Sequence, residues 1–243
     1  MVPAVAAVAI SPQHRQAAQV DGIFEPRAET SILVRWAADG TPHASVVGPL
    51  TVARRKSFAL PARALQLFIR PGHTRRVFGT AVLELADQVV PLGQVWGGRG
   101  DRLLDELGGV DPRRAVDLLA AEIATRASDE APRVSDALTR LRRGDNVSSV
   151  AAALAIGERQ LRRLFATELG VSPRRVARIA RLARAVRDGR GDVAWAQYAL
   201  DHGYCDQSHM IREFKELLGT TPEQYFVRRH SARQGLAWAV SAP

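Results

Sequence analysis

A short block of sequence occurs twice near the C-terminus, and this repeat restricts the possible folds more than any other feature. Residues 160–173 correspond to residues 209–222 at a constant offset of 49 positions (222 minus 173). Each copy contains a phenylalanine, then a glycine, then a Ser-Pro or Thr-Pro pair. Two similar units in one chain suggest one activity performed twice along an extended partner. Duplex DNA is such a partner, because its major groove recurs about every 34 Å.

Each copy predicts an amphipathic helix that stops at a glycine. The apolar pairs lie four residues apart, which places them on one helix face: Leu161 with Phe165, and Met210 with Phe214. Gly170 and Gly219 follow where a helix would end, since glycine accepts the left-handed conformation there. Ser172-Pro173 and Thr221-Pro222 then predict an N-cap followed by proline at the first position of a new helix.

A shorter helix and a tight turn precede each copy, at residues 148–155 and 193–200. A short helix, a turn and an amphipathic helix with arginines outside form the helix-turn-helix pattern. The two turns differ in phase, because Gly203 precedes Met210 by seven residues whereas Ala155 precedes Leu161 by six. One such helix alone would more simply be a solvated surface helix, but two units with shared endings favour a common function.

The region of about residues 134–228 resembles the DNA-binding domain of the AraC/XylS family of bacterial transcription regulators. The second unit carries the longer pattern: Ala199, Gly203, Tyr204, Asp206, Gln207, Ser208, His209, Arg212, Phe214, Lys215, Gly219, Thr221, Pro222 and Tyr225. The resemblance implies two helix-turn-helix units, at about 147–170 and 193–219, joined by a helix at about 173–187. It also implies that two recognition helices enter successive major grooves. Gly157 departs from the family, which usually places serine at this cap.

The resemblance also implies which residues contact DNA. The base-reading positions fall on Arg159, Arg162 and Arg163 in the first unit, and on Gln207, Ser208, Ile211 and Arg212 in the second. Arginine can bind guanine with two hydrogen bonds, glutamine can bind adenine, and isoleucine can touch a thymine methyl. For Arg163 and Arg212, pairing with an acid or a phosphate is an open alternative. Arg174, Arg175 and Lys215 are phosphate candidates.

The N-terminal half predicts a different structure, so the expected fold class is α+β: a strand-rich N-terminal domain with flanking helices, then an all-α double helix-turn-helix domain. Residues 31–36 and 65–69 are β-prone, while 101–107 and 112–126 predict helices, the latter with Asp111 as its N-cap. The predicted boundaries are a disordered tail at 1–20, a domain at 21–128 and a linker at 129–133. The domain at 21–128 resembles, more weakly, the sensor-like domain found before some such regulators, which implies effector binding or dimerisation.

Four side chains of this half have competing interpretations. Arg70 and His73 flank the Pro71-Gly72 turn and could line a pocket, but an exposed turn is the favoured interpretation. Trp36 and Trp96 are predicted to lie in the core.

Composition restricts the function further. The chain of 243 residues has a formal charge of +9, which supports nucleic-acid binding only weakly because the basic excess is spread fairly evenly over the two halves of the chain. Cys205 is the only cysteine, so an intramolecular disulfide and a multi-cysteine zinc site are excluded. We expect a partly buried structural thiol there, with a redox switch as the alternative. The sequence contains no HExxH, GxSxG or glycine-rich phosphate loop, so we expect no enzyme, cofactor or metal.

The expected partner is double-stranded DNA. RNA polymerase, a small-molecule effector and a second copy forming a homodimer are further partners that the resemblance allows. The longest apolar stretch, residues 2–10, is too short to span a bilayer, so we expect a cytoplasmic, bacterial-type protein without a membrane partner. The alternative is a protein-interaction adaptor, or an effector-binding protein, with weak or no specific DNA binding.

Overall fold

The computed structural model describes residues 5–10, 19–59, 63–127, 132–189 and 194–232. These residues form a strand-rich N-terminal part followed by a purely helical C-terminal part, so the predicted α+β class is confirmed. The described strands are β1 (Val5–Ile10), β2 (Gln19–Phe24), β3 (Ser31–Trp36), β4 (Pro42–Val47), β5 (Arg54–Ala59), β6 (Arg63–Ile69) and β7 (Val89–Pro91). Five of them form an antiparallel sheet in the order β1-β6-β3-β4-β7, and β2 pairs with β5 in a separate antiparallel ribbon.

Helices cover one face of the five-stranded sheet. They are α1 (Thr74–Phe78), α2 (Val82–Leu85), α3 (Leu92–Trp96), α4 (Gly98–Glu106) and α5 (Pro112–Arg126). Alternate residues of β3 are fully buried and pack against apolar residues of these helices, as a half-covered strand requires. Asp111 caps α5 as predicted, because its carboxylate accepts hydrogen bonds from the backbone N–H groups of Arg113 and Arg114 at 2.8 and 3.2 Å.

The prediction of a disordered tail at residues 1–20 is wrong for residues 5–10. Residues 5–10 form β1, which pairs with β6, and Val5 is buried. Without β1, the backbone of β6 would form an unpaired edge of the sheet, and the apolar run at 5–10 fills that position. Residues 1–4 and 11–18 lie outside the described residues. Residues 128–131, which include most of the predicted linker, also lie outside the described residues, and so does Val193, where a helix was predicted to begin. Arg133, at the end of the predicted linker, is part of a helix.

The Pro71-Gly72 turn was wrongly predicted to be exposed. Both residues are buried, and His73 is 2% exposed, because α1 begins immediately after the turn and packs against a helix of the C-terminal part. The prediction for the two tryptophans is confirmed. The indole N–H of Trp36 donates to the carbonyl of Leu107 at 2.9 Å, and that of Trp96 donates to the carbonyl of Val77 at 2.8 Å.

The C-terminal part contains seven described helices: α6 (Pro132–Arg143), α7 (Val147–Ala153), α8 (Glu158–Leu169), α9 (Pro173–Asp188), α10 (Trp195–Asp201), α11 (Gln207–Leu218) and α12 (Pro222–Ala232). They enclose two separate apolar cores. Side-chain caps begin several of these helices: Asn146 accepts from the Ser149 N–H at 2.8 Å, and Asp206 accepts from the His209 N–H at 2.6 Å.

The turns that precede α8 and α11 have the same backbone geometry but different lengths. Ala155 has φ 52° and Gly203 has φ 77°, so both are left-handed. The next residue of each turn, Ile156 or Tyr204, donates to a carbonyl of the preceding helix at 3.0 Å. From the left-handed residue to the first helical residue there are three steps to Glu158 and four to Gln207. The phase difference predicted from the sequence is therefore one extra residue in the second turn.

The left-handed conformation of Ala155 leads to a prediction about stability. An L-residue with a Cβ atom pays about 1–2 kcal/mol in this conformation, and glycine avoids that cost. We expect Ala155→Gly to raise the free energy of unfolding by about 0.5–1 kcal/mol after the greater chain entropy of glycine is subtracted. Urea denaturation measures this change. Ala152→Gly, in the helical part of α7, is the matched control and should lower stability by about 1 kcal/mol. A less stable Ala155→Gly protein would contradict the argument.

Candidate nucleic-acid interface

The two repeated blocks form α8 and α11, each with one buried and one exposed face. The four apolar residues of the repeat, Leu161, Phe165, Met210 and Phe214, are all fully buried. Both helices end as predicted, with Gly170 at φ 66° and Gly219 at φ 68°. The buried faces hold each helix against its own core, which leaves the opposite face of each helix available for a partner.

The base-reading candidates lie on these exposed faces. Arg159, Arg162 and Arg163 are exposed on α8. On α11, Gln207, Ser208 and Arg212 are exposed and Ile211 is half-buried. The starts of the helices differ, because Asp206 caps α11 with its carboxylate whereas Gly157 gives α8 no side-chain cap. The placement is compatible with base reading by all seven residues, and their individual roles stay predictions.

The three phosphate candidates do not have the same environment. Arg174 in the first turn of α9 and Lys215 in α11 are exposed. Arg175 is half-buried, and its guanidinium donates to the carbonyl of Thr51 in the N-terminal part, from Nε at 3.1 Å and from Nη2 at 2.7 Å. Its contact with a phosphate also stays a prediction, and Arg175 is already held by an intramolecular contact.

Helix α9 belongs to both cores of the C-terminal part. Val176 lies in the core of the first unit, and Leu182 and Ala185 lie in the core of the second. Several arginines of α9 add contacts with neighbouring elements. Arg181 donates to the carbonyl of Gly203 at 3.1 Å, and Arg184 donates to the carbonyl of Arg142 at 2.7 Å. These arginines therefore connect α9 to its neighbours.

The strongest of these contacts joins α9 to α11. Arg178 donates from Nε to the carboxylate of Glu213 at 2.9 Å and also pairs with Glu216. Burial disfavours the charge of Arg178, but the hydrogen bonds to Glu216 and Glu213 outweigh this effect and raise its pKa. The same contact lowers the pKa of Glu216. Glu213 is 3% exposed, so Arg178 neutralises a buried carboxylate on the inner face of the recognition helix α11.

Tyr204 and Cys205 lie in the turn before α11. Burial, with a further contribution from Glu213, raises the pKa of Tyr204, and the Arg181 guanidinium lies over its ring at 5.3 Å. Cys205 is exposed, which corrects the expectation of a partly buried thiol. The thiol lies in the extra residue of this turn, which points away from the core.

The N-terminal part contacts the C-terminal end of both recognition helices. At α8, Gly170 lies so close to α2 that a Cβ atom there would be 2.6 Å from the carbonyl oxygen of Val82. At α11, the N–H of Ala53 donates to the carbonyl of Leu217 at 2.6 Å. No local sequence pattern reveals these contacts, because they join segments far apart in the chain. The role of Glu213 was not predicted either, although an acid beside Met210 and Phe214 on the buried face of the helix is a detectable signal.

The described ranges contain neither a cluster of metal-binding side chains nor a membrane-spanning helix. No group of three His, Cys, Asp or Glu side chains there is arranged to hold a metal ion. None of the helices in those ranges combines the length and apolar character needed to cross a bilayer.

Two amphipathic helices, each preceded by a shorter helix and a tight turn, pack on one connecting helix, which is the arrangement of a DNA-binding domain with two helix-turn-helix units. A family model of a helix-turn-helix domain matches residues 133–228. This part of the chain therefore belongs to the helix-turn-helix domains of AraC type, which bind DNA. The resemblance stated from the sequence is confirmed.

Several solved structures are similar to the chain. A transcriptional regulator with an AraC-type DNA-binding domain from Chromobacterium violaceum is 23% identical, covers 40% of this chain and 92% of its own, and has a TM-score of 0.37. ToxT from Vibrio cholerae O395 is 11% identical over 91% of this chain and 96% of its own, with a TM-score of 0.45. ToxT from strain SCE256, bound to an unsaturated fatty acid, is 12% identical over 93% and 96%, with a TM-score of 0.42. Among curated proteins the chain has no significant match.

The contact between Arg178 and Glu213 predicts a loss of stability when one partner is removed. We expect Arg178→Ala to lower the free energy of unfolding by about 3 kcal/mol, because Glu213 stays buried without its main partner. Replacing both partners, as Arg178→Met with Glu213→Met, should restore much of this loss, since no buried charge remains. Urea denaturation of the three proteins measures both effects. Equal stability of Arg178→Ala and the unmodified protein would contradict the assigned role.

Proposed function

We propose that the chain is a sequence-specific transcription regulator that places α8 and α11 in successive major grooves on one face of the duplex. The observation that carries this proposal is the matched construction of the two helices. Each has a fully buried apolar pair, a left-handed glycine at its end and an exposed polar or basic face. A row of arginines and polar groups outside an apolar core suits phosphate contacts and base-edge hydrogen bonds.

The chemistry of the two faces predicts different readout in the two half-sites. The first face carries Arg159, Arg162 and Arg163, whose guanidinium groups favour guanine or phosphate. The second carries Gln207 and Ser208 at the start of α11, with Ile211 one turn later. Glutamine favours adenine, and isoleucine can contact a thymine methyl. The proposal therefore assigns a guanine preference to the half-site under α8 and an A·T preference to the half-site under α11.

The regulatory partners belong to the same proposal. We assign effector binding or dimerisation to the N-terminal part, from β1 to α5, because its strands and helices form a core separate from the two cores of the DNA-binding part. The exposed side of α5 is the surface we propose for a second copy. RNA polymerase is the partner through which a bound regulator would act, and the cytoplasm is the compartment where the protein would meet it.

Selection of genomic fragments by the purified protein, followed by footprinting of the recovered DNA at two salt concentrations, tests the proposal. We expect two protected major-groove segments about one helical turn apart. Binding should weaken steeply with salt, because each phosphate contact releases counterions. No enriched sequence and no salt dependence would favour the alternative, an adaptor or effector-binding protein without specific DNA binding.

Two substitutions test the assignment of the reading helices. We expect Arg159→Ala to relax base preference in one half-site and Gln207→Ala to relax it in the other. Each change should cost about 1–3 kcal/mol of discrimination at its own position, because a bidentate base contact is lost. Footprints on a library of operator variants measure the preference.

Arg102→Ala is the matched control for this experiment, because Arg102 is exposed on α4, which packs against α3 and β4 and not against a recognition helix. It should leave base preference unchanged. If Arg159→Ala and Gln207→Ala both retain the preference of the unmodified protein, the assigned readers are wrong.

A further inference from the structure

The ribbon formed by β2 and β5 lies against the C-terminal end of α11. The N–H of Ala53, just before β5, donates to the carbonyl of Leu217 at 2.6 Å. Two residues later, Arg55 donates from Nη2 to the carbonyl of Gly219 at 3.4 Å. The basic sequence Arg54-Arg55-Lys56 of the N-terminal part therefore begins directly beside the second recognition helix.

Several contacts hold the base of the ribbon in this position. Glu25, which follows β2, accepts a hydrogen bond from the hydroxyl of Tyr225 in α12. Thr51, which precedes β5, is held from both sides. Asp87 accepts from its N–H and its hydroxyl at 2.8 and 2.6 Å, and Arg175 donates to its carbonyl. The ribbon is thus fixed relative to α9, α11 and α12, and Arg55 has a defined place next to the DNA-binding domain.

The contact with Gly219 lies on the face of α11 that we assign to DNA. Ser208, Arg212, Lys215 and Gly219 follow one another at steps of four, three and four residues. That spacing places them along one face of a helix. Arg55 therefore continues this face beyond the last turn of α11, on the side where Lys215 is exposed.

The chemistry of Arg55 permits a second contact. A guanidinium has five N–H donors, and the bond to Gly219 uses one of them at the long end of the hydrogen-bond range. Arg55 is exposed, so the remaining donors face solvent. Capping of the helix end by a cation accounts for the contact with Gly219, but it leaves the other donors and most of the charge available.

We propose that Arg55 binds a phosphate of the duplex that α11 enters, which extends the DNA interface from the helix-turn-helix domain onto the N-terminal part. This inference rests on the proposed function, because it needs α11 to lie in a major groove. The partner is the DNA backbone, since an anionic chain that follows the exposed face of α11 past Lys215 reaches Arg55 next. The contact would strengthen binding to every sequence and would carry no base preference.

The test is the salt dependence of binding by the full chain, measured by fluorescence anisotropy on two labelled duplexes. One duplex is recovered by the selection described above, and the other has the same length and a scrambled sequence. Arg55→Gln removes the charge but keeps a donor for the Gly219 carbonyl. We expect its slope of log K against log salt to be shallower by about 0.9 on both duplexes. When the salt concentration rises from about 50 to about 200 mM, the affinity of Arg55→Gln should fall by a factor about 3.5 times smaller than the factor for the unmodified protein.

The neighbouring Arg54 supplies the matched control. Adjacent residues of a strand point to opposite faces, so Arg54→Gln removes the same charge from the other side of the ribbon. We expect its slope to equal that of the unmodified protein, and Arg55→Lys to keep most of the original slope. Melting temperatures of all variants should agree, which shows that the fold is retained.

Two results would overturn this inference and leave the proposed function intact. One is an unchanged slope for Arg55→Gln while the unmodified protein binds with steep salt dependence. The other is an equal decrease for Arg54→Gln and Arg55→Gln, which would indicate general charge rather than a contact. A shallow slope for the unmodified protein, unaffected by Lys215→Gln, would instead overturn the proposed function, and this inference with it.

Discussion

The structure depends on one shared helix, α9, which contributes to both cores of the DNA-binding part. A helix that only linked two units would leave their relative orientation to solvent-exposed contacts. Here apolar residues on its buried side and arginines around it fix both units at once. The pair formed by Arg178 and Glu213 fixes α11 against α9, because the carboxylate is buried on the inner face of α11 and needs a cation beside it. The position of α11 therefore follows from that of α9.

The N-terminal part extends this constraint to a second set of contacts. Asp87 holds Thr51, Thr51 accepts from Arg175 of α9, and Ala53 pairs with the end of α11. On the other side, α2 lies against Gly170 at the end of α8. The N-terminal part therefore contacts the C-terminal ends of both recognition helices, so a displacement of this part would move both ends.

The sequence predicted those parts of the fold that local patterns control. Helix α5, the ends of α8 and α11 and strand β3 follow from caps, glycines and periodicity within a few residues. It did not predict β1, the burial of His73 or the contact of Arg175 with Thr51. Each of these depends on segments far apart in the chain, and an apolar run or an arginine does not reveal its distant partner. The base-reading candidates were found by resemblance, and their roles stay predictions.

The extra residue in the turn before α11 has a consequence for the DNA that such a protein would choose. The two units differ in turn length, in the cap that begins the reading helix and in the side chains that face outward. If α8 and α11 enter successive major grooves as proposed, the two half-sites would be unequal and the whole binding site would lack two-fold symmetry. Such a site has a direction, so a single chain bound to it would have one orientation along the DNA. The inequality begins with one extra residue, Cys205, in the turn before α11.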